Sequence, residues 1–329
     1  MFIFLCMSHK PPKRPNKERL FEVGKPEPKQ VGRKRHLRAL DDPSDQVRLP
    51  ARDGLVPALV DGLPARLVKT HSANKARMVR RDLGTVSKAM SRQWFEVHYL
   101  ELFAGPGLLL DDVTGEEVPG SPLEALSISR PFDHYVFSDY AGVCTSALRQ
   151  RIDARFGPRP DVDVLRGDAN DTAYLERVCS HINPRALVIA YLDPAKPNLH
   201  FETVRFLAQR FQFIDFIINL PFSGIHRSLA AGGEDKPRLM LNHPNPLELL
   251  HRDEGRTAEN IRAHYDAQLQ TLGLHHRTRR CVRTAGTNSP LYDIVLASRH
   301  RRAIELWDKA NIEPKPPAGV QLGFGDAFE

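Results

Sequence analysis

The sequence predicts a Rossmann-like α/β fold, in which helices cover both faces of a doubly wound, mostly parallel sheet. Three observations favour this class. Five short apolar runs alternate with amphipathic helical patterns, a glycine-rich turn follows the first run, and polar residues end the later ones. Parallel neighbours need crossover connections, which the intervening helices supply. With 329 residues, 41% of them hydrophobic, the chain is long enough for one sizeable core.

The first predicted helix begins near residue 71, where apolar residues from Ala76 to Met90 recur at steps of three and four. Its opposite face is cationic and carries Lys75, Arg77, Arg81, Lys88 and Arg92. Such a face is typical of solvated surface, and contact with nucleic acid is the alternative interpretation.

The predicted strands are 97–103, 134–138, 162–165, 186–192 and 214–220, with helices over 143–156, 171–181 and 201–211 between them. Ser121 opens a further helix as its cap, because Pro122 follows in the first turn and Glu124 completes a capping box. Near the end, a helix over 261–272 precedes two runs, 276–283 and 291–297, which flank a turn. The sheet is therefore expected to finish with an antiparallel strand, as in class I methyltransferases.

The domain organisation follows from composition. The sequence predicts a basic, disordered tail over 1–50, a helical extension over 51–95, the Rossmann-like domain over 96–310 and a C-terminal tail over 311–329. Within the domain, 230–246 is rich in Gly, Pro and Asn and is interpreted as a loop and candidate lid. Residues 1–48 hold 12 Lys or Arg against 6 Asp or Glu, which accounts for most of the net charge of +7. Nucleic-acid contact, a solvated tail and a start codon at Met7 are alternative interpretations of this segment.

Several classes of protein are not indicated. No apolar run approaches the roughly 20 residues that span a bilayer, and the first seven residues lack the features of a signal peptide, so a cytoplasmic location is expected. The cysteines form no C-x-x-C pair, and the histidines show no metal-type spacing. No cysteine follows a proline, which argues against cytosine C5 chemistry.

The predicted ligand site is built around the turn after the first strand. In an open parallel sheet, ligands bind beyond the carboxyl ends of the strands. Here Glu101 lies near the end of the strand, and Phe103 and Ala104 lead into Gly105 and Gly107. Small residues let the backbone approach a ligand closely, and glycine adopts the angles of a tight turn. A purely structural turn is the alternative interpretation.

Acidic residues end the next strands and narrow the ligand class. Asp139 after the second strand is suited to a ribose diol, and Asp168 with Ala169 after the third is suited to an adenine amino group. Leu108 follows Gly107, so the full G-x-G-x-x-G that binds a pyrophosphate is missing. S-adenosylmethionine has no phosphate and is the predicted cofactor, and Ser121 at the start of the next helix is a further candidate for binding it. Caps of helices or turns are the alternative roles for these aspartates.

Two rival turns are candidates for holding the group to be methylated. Asp193 with Pro194 ends the fourth strand, where amino-methylating enzymes place an Asp/Asn-Pro-Pro-aromatic turn, but Ala195 replaces the second Pro. Asn219 ends the fifth strand, and Phe222 three residues later is suited to stack on a flipped base. Either turn has a purely structural interpretation, and the choice between them stays open.

The motifs together resemble the three-Cys-motif partner family (TcmP). The resemblance covers roughly residues 70 to 310 and rests on the segments 71–83, 103–107 with 120–126, 167–170, 191–194, 214–221 with Arg227, and 289–298. It implies a class I methyltransferase-like fold, S-adenosylmethionine as cofactor, and a separate partner with a three-cysteine, radical-SAM-like motif. The continuation after Asp193 departs from the aromatic-Gly pair of the family.

Three functions are consistent with these residues. The leading hypothesis is an S-adenosylmethionine-dependent methyltransferase that acts on nucleic acid, with Asp193 or Asn219 facing the acceptor and Arg227 touching an acidic substrate. The second is a non-catalytic module that binds a nucleotide-like ligand or a partner protein. The third is a nicotinamide-dependent oxidoreductase, against which the missing third glycine argues.

Overall fold

A computed structural model describes residues 54–90, 93–251, 257–283 and 290–310. The predicted tails over 1–50 and 311–329 lie outside these residues. Within the described ranges, no helix combines the length and the apolar character that crossing a bilayer requires.

Two kinds of element make up the fold. The strands are β1 Leu55–Pro57, β2 Pro64–Val68, β3 Val97–Glu101, β4 Leu108–Asp111, β5 Glu117–Pro119, β6 His134–Asp139, β7 Val162–Arg166, β8 Leu187–Leu192, β9 Ile214–Leu220, β10 His276–Arg283 and β11 Pro290–Ser298. The helices are α1 Thr70–Met90, α2 Ser121–Leu126, α3 Gly142–Phe156, α4 Thr172–Ser180, α5 Phe201–Arg210, α6 Phe222–Ala230, α7 Asp235–Leu241, α8 Glu248–His251, α9 Thr257–Thr271 and α10 Arg301–Ala310.

The main sheet has seven strands in the order β10-β11-β9-β8-β3-β6-β7. The five strands from β9 to β7 are parallel to one another, whereas β11 is antiparallel to both β9 and β10. Consecutive strands run outward from β3 in one direction and then resume beside β3 in the other. This order, with an antiparallel strand next to the edge, confirms the predicted Rossmann-like fold of the class I methyltransferase type.

Helices pack on both faces of this sheet and bury its central strands on both sides. In β8, Val188 and Ala190 face one apolar cluster while Leu187 and Ile189 face the other. Alternate residues of a strand point to opposite faces, so a continuous apolar run suits a strand between two helical layers. The first cluster receives α4, α5, α7 and α9, and the second receives α1, α2, α3 and α10.

A second, smaller sheet precedes and flanks the glycine-rich turn, with the order β1-β2-β4-β5. The sequence predicted a helical extension over 51–95, but residues 55–68 form two strands, and the helix occupies only 70–90. The prediction missed β1 and β2 because Pro57 and Pro64, with Gly62 in the turn between them, disguise a short hairpin. Its strand β2 pairs in parallel with β4, which directly follows Gly107.

Two local predictions are wrong. The helix α2 has Gly120 as its N-cap residue, without a side-chain cap, and Ser121 is its first helical residue. The predicted capping box does not form because the Ser121 hydroxyl donates instead to Glu101. The predicted loop over 230–246 contains α7, whose Met240 and Leu241 are fully buried. These two side chains anchor part of the segment in the core, and its role as a lid stays a prediction.

Candidate functional site

The candidate site lies along the rim where the parallel strands end. Glu101 ends β3 and Asp139 ends β6, while Asp193 directly follows β8 and Asn219 lies next to the last residue of β9. Because β8, β3 and β6 are neighbours in the sheet, their carboxyl ends share one edge. The chain reverses its direction of travel across the sheet beside β3, which is where open α/β sheets bind ligands.

The glycine-rich turn after β3 closes against two neighbours. Gly105 and Gly107 have φ angles of 65° and 86°, in the region that favours glycine. The Gly107 carbonyl accepts a hydrogen bond from Gly120 N–H at 2.9 Å, and a Cβ on Gly107 would lie 2.8 Å from Leu148 Cδ1. The turn then continues into β4 and not into a helix, so no helix N-terminus is offered to a pyrophosphate at this point.

Asp139 holds the turn from the neighbouring strand. Its Oδ2 accepts a hydrogen bond from Gly105 N–H at 2.9 Å, and its Oδ1 accepts one from Ala141 N–H at 2.9 Å. A carboxylate offers about four acceptor positions, so two remain for a ligand. The side chain therefore connects the turn to the start of α3 and keeps the capacity to receive a diol.

Glu101 is a buried carboxyl beneath the turn. Ser121 Oγ donates to its Oε1 at 2.5 Å, and Tyr99 OH donates to its Oε2 at 3.1 Å. Burial raises the pKa of Glu101 to about 8, and the nearby carboxylates of Asp193 and Asp139 act in the same direction, whereas the two hydrogen bonds oppose them. The protein therefore holds a proton on this carboxyl near neutral pH, and a cation bound above it would favour its release.

Arg151 of α3 joins the small sheet to the glycine-rich turn. Its guanidinium donates to both carboxylate oxygens of Asp61, at 2.8 and 2.9 Å, and to the carbonyls of Pro64 and Pro106, each at 2.7 Å. The side chain is only 6% exposed. From the same small sheet, the Arg66 Nε lies 3.8 Å from the place that a Cβ on Gly105 would occupy. The strand β2 is thus part of the wall around the turn.

The predicted adenine contact lies in the turn after β7, whose residues make hydrogen bonds within the protein. Asp168 is exposed, and its Oδ1 accepts a hydrogen bond from Asn170 N–H at 2.9 Å. Ala169 is buried, and its carbonyl accepts from Thr203 Oγ1 at 3.0 Å. Asn170 Oδ1 accepts a hydrogen bond from His200 N–H at 2.8 Å. These contacts fix the turn to the start of α5, and the roles of Asp168 and Ala169 toward a cofactor stay predictions.

The two rival turns meet in one cluster. Asn219 Nδ2 donates to Asp193 Oδ1 at 2.7 Å, because β8 and β9 are adjacent strands. Lys75 of α1 reaches the same carboxylate, with its Nζ 2.7 Å from Oδ1 and 2.6 Å from Oδ2. Tyr191 OH donates to Oδ2 at 2.9 Å. The ring of Tyr292 lies against the ammonium, 5.1 Å from centroid to Nζ. We call these five side chains the Asp193 cluster.

Phe222 does not face this cluster as an open stacking surface. It begins α6, is 4% exposed, and is covered by the Arg262 guanidinium, whose Cζ lies 4.9 Å from the ring centroid. Arg262 in turn makes two hydrogen bonds to the fully buried Asp293, at 2.8 and 2.9 Å. In this arrangement an ion pair occupies one face of the ring, and the stacking of Phe222 on a base stays a prediction.

The remaining predicted residues lie near the cluster or on the surface. Pro194 is buried directly after Asp193, and Ala195 and Lys196 beyond it are exposed. Arg227 is an exposed residue of α6, and its contact with an acidic substrate stays a prediction.

Sequence reasoning missed three members of the cluster, namely Lys75, Tyr191 and Tyr292. Lys75 belongs to the cationic helix face that was interpreted as solvated surface, yet its side chain is only 14% exposed. Tyr191 stands two residues before Asp193 and points to the same face of β8, since alternate residues of a strand share a face. That spacing is a usable signal for Tyr191. No local signal identifies Lys75, because its partner lies 118 residues away along the chain.

Comparisons with known proteins return likenesses of fold only. No family model matches the chain, and no curated protein sequence does. A solved protein of Legionella pneumophila, of family-model DUF519, is 12% identical with a TM-score of 0.46, over 70% of this chain and 89% of that one. An O-methyltransferase from Bacillus cereus in complex with S-adenosylhomocysteine is 13% identical with a TM-score of 0.40, over 70% and 82% of the two chains.

A third solved structure, the METTL16 methyltransferase domain, is 11% identical with a TM-score of 0.39, over 69% of this chain and 67% of that one. All three TM-scores lie below 0.5. The fold assignment therefore rests on the strand order of this chain, and the chemistry of the site is argued from its own residues.

Proposed function

We propose that this protein is an S-adenosylmethionine-dependent methyltransferase whose cofactor lies over the glycine-rich turn and whose acceptor group lies at the Asp193 cluster. The observation that carries the proposal is the hydrogen bond that Asp139 accepts from Gly105 N–H, beside the buried carboxyl of Glu101. This arrangement supports a ligand that combines a ribose with a cationic, phosphate-free chain, because no helix N-terminus follows Gly107.

The residues of the rim fit this cofactor. Asp139 keeps two acceptor positions for the ribose hydroxyls after its two backbone contacts. Gly105 and Gly107 form a turn that has no side chains of its own, so its backbone is suited to a close approach by a ligand. Glu101 lies beneath the turn, where its carboxyl becomes a counter-charge for a cation once its proton is released.

When bound, S-adenosylmethionine supplies a methyl group on a sulfonium; the acceptor's lone pair forms the new bond, and the sulfur keeps the electrons of the broken one. The protein contributes mainly by positioning. Asn219 Oδ1 receives the N–H or O–H of the acceptor and orients its lone pair, and Asp193 fixes the Asn219 amide. Asp193 is already paired with Lys75 and accepts hydrogen bonds from Asn219 and Tyr191, so we expect the proton that the acceptor loses to pass to water.

The substrate that we propose is nucleic acid. The support is the excess of positive charge over residues 1–48, because Lys and Arg contribute most of the non-specific affinity for phosphates. From the resemblance to the three-Cys-motif partner family, we further propose that the protein works with a partner bearing that motif. Transfer of labelled methyl groups to mixed DNA and RNA, with and without such a partner, tests both points. Absence of transfer both with and without the partner argues against the catalytic proposal.

Replacing Asp139 by Ala tests the cofactor site directly. We expect the affinity for S-adenosylmethionine to fall at least about 100-fold, roughly 3 kcal/mol, because charge-assisted hydrogen bonds contribute about 1.5–3 kcal/mol each. The substitution removes the acceptor of Gly105 N–H and the proposed acceptor of the ribose together. Isothermal titration calorimetry of the full-length chain measures the effect.

Asp161→Ala is the matched control. Asp161 is a partly buried aspartate just before β7, at the opposite edge of the same sheet, where it pairs with Arg159 at 2.6 Å. We expect it to leave the cofactor affinity within about twofold, since the site lies at the other end of the strands. An Asp139→Ala affinity within threefold of the wild-type value contradicts the proposed site.

One observation favours a second candidate, a non-catalytic module that binds the cofactor without transferring its methyl group. Lys75, Tyr191 and Asn219 occupy the acceptor positions of Asp193, so this carboxylate is not open to a substrate amine. Cofactor binding without methyl transfer, to mixed nucleic acid and in the presence of the partner, supports the module. Measurable transfer that Asn219→Leu abolishes supports the enzyme.

A further inference from the structure

The Asp193 carboxylate is saturated by donors from its own chain. Lys75 Nζ contacts both oxygens, at 2.7 and 2.6 Å, Asn219 Nδ2 contacts Oδ1 at 2.7 Å, and Tyr191 OH contacts Oδ2 at 2.9 Å. A carboxylate has about four acceptor positions, and three hydrogen bonds with the second contact of the ammonium surround both of its oxygens. A substrate amine cannot bind Asp193 without displacing one of these donors.

The contact with Asp193 fixes the orientation of the Asn219 amide and leaves its oxygen without a hydrogen-bond partner among the described residues. An ionised carboxylate only accepts hydrogen bonds, so the nitrogen of the amide must face Asp193, and its oxygen faces elsewhere. Asn219 is 6% exposed, and its Oδ1 is buried without a hydrogen-bond partner among the residues that the structure describes. Buried polar atoms are seldom left without partners, so this oxygen is suited to receive a donor from a ligand.

The charge around this oxygen is balanced. The ammonium of Lys75 cancels the carboxylate of Asp193, and both side chains are only 14% exposed. The face of the Tyr292 ring nearest the cluster is already taken by Lys75. An alkylammonium that approached Asn219 would meet the Lys75 cation while the Asp193 carboxylate is already paired and the buried Glu101 carboxyl is mostly protonated at neutral pH, whereas a neutral N–H or O–H group meets no such repulsion.

Building on the proposed function, we propose that Lys75 is a specificity-determining residue. It neutralises Asp193 so that Asn219 Oδ1 receives a neutral N–H or O–H donor, such as the exocyclic amine of a nucleobase, and alkylammonium groups are excluded. Lys75 thus selects the acceptor through its charge and does not itself react.

The test compares two small probes of the same shape and different charge, benzyl alcohol and benzylammonium, by saturation-transfer NMR titration of the full-length chain at pH 7.5. S-adenosylhomocysteine is added to fill the cofactor site. We expect the wild-type protein to bind benzylammonium at least about tenfold more weakly than benzyl alcohol. In Lys75→Met the uncompensated Asp193 attracts the cation, and the affinity for benzylammonium rises at least about tenfold.

Two further variants isolate the charge from the shape. Lys75→Arg retains the positive charge and is expected to keep the wild-type preference. The double variant Lys75→Met with Asp193→Asn is neutral again and is expected to lose the gain in benzylammonium affinity. Asn219→Leu, in the wild-type background, is expected to lower the affinity for benzyl alcohol at least about fivefold, because it removes the acceptor oxygen of Asn219. This last variant keeps the proposal testable if Lys75→Met fails to fold.

Equal binding of the two probes by the wild-type protein overturns the proposal, and so does a Lys75→Met variant that folds and shows no gain for benzylammonium. A merely structural Lys75 would alter the melting temperature of the variants without reversing the charge preference. Binding of S-adenosylhomocysteine is measured first on the same samples. Its absence rejects the proposed function, while the probe titrations repeated without it still decide the role of Lys75.

Discussion

Arg262→Met is expected to lower the free energy of unfolding by about 3–5 kcal/mol, because it leaves the buried carboxylate of Asp293 without its main partner. Arg262 makes two hydrogen bonds to Asp293, which is fully buried, and the nearest remaining cation, Arg279, lies 3.7 Å from Oδ2. Chemical unfolding of the full-length chain, followed by circular dichroism, measures the change.

The companion variant shows whether the buried charge is the cause. Adding Asp293→Asn to Arg262→Met is expected to recover more than half of the loss, since an unpaired amide is less costly to bury than an unpaired carboxylate. Arg205→Met is the control, because Arg205 pairs with Glu202 on the surface of α5 and such exposed pairs contribute little. A loss below about 1 kcal/mol for Arg262→Met would show that the pair is not important for stability.

The second large effect is a dependence on pH that Glu101→Gln removes. The pKa of Glu101 in the folded protein is about 8, above the ordinary value of 4.5, because burial disfavours the charged carboxyl. Folding therefore favours the protonated form. The contribution of this group to stability is full below about pH 4.5 and is lost as the pH rises toward 8.

Glutamine is neutral at every pH, and its amide is able to accept from Ser121 and to donate to the Tyr99 oxygen. We expect Glu101→Gln to equal the wild-type protein near pH 4.5 and to exceed it in stability by roughly 5 kcal/mol at pH 9, since each pKa unit corresponds to about 1.4 kcal/mol. Denaturant titrations across this range measure the difference. The raised pKa of Asp215, about 6, affects the stability of both proteins equally, so it cancels from the difference between them.

Glu176→Gln, at an exposed position of α4, controls for general effects of charge and is expected to follow the wild-type curve. A Glu101→Gln difference that is the same at pH 5 and pH 9 would contradict the assigned pKa.

Much of the sheet was predictable because its strands carry local signals. The run over 214–220 is apolar throughout except for Asp215 and Asn219, and it coincides with β9. The antiparallel end of the sheet was also predicted, since two strand-like runs flank a Pro- and Gly-containing turn. The small sheet was not predicted, because strands of three to five residues bounded by prolines are too short to show a period.

The site was predictable only strand by strand. The sequence placed Asp139, Asp193 and Asn219 at strand ends, but presented the last two as rivals. Their hydrogen bond follows from the adjacency of β8 and β9, which is a property of the sheet order and not of either turn. Lys75 illustrates the same limit. Its helix pattern shows a cationic face, and only the packing of α1 against the rim turns one of those cations inward.

Arg151 has a consequence for biosynthesis. Asp61 and Pro64 leave the ribosome well before α3 does, so the hairpin of β1 and β2 is made without the guanidinium that later joins it to Pro106. Contacts between distant parts of a chain form late, because the intervening segment must first be ordered. The hairpin of β1 and β2 thus gains its hydrogen bonds to Arg151 only after α3 has been synthesised. A fragment that begins at residue 96 would lack the acceptors on Asp61 and Pro64, and one that stops before residue 151 would lack their donor.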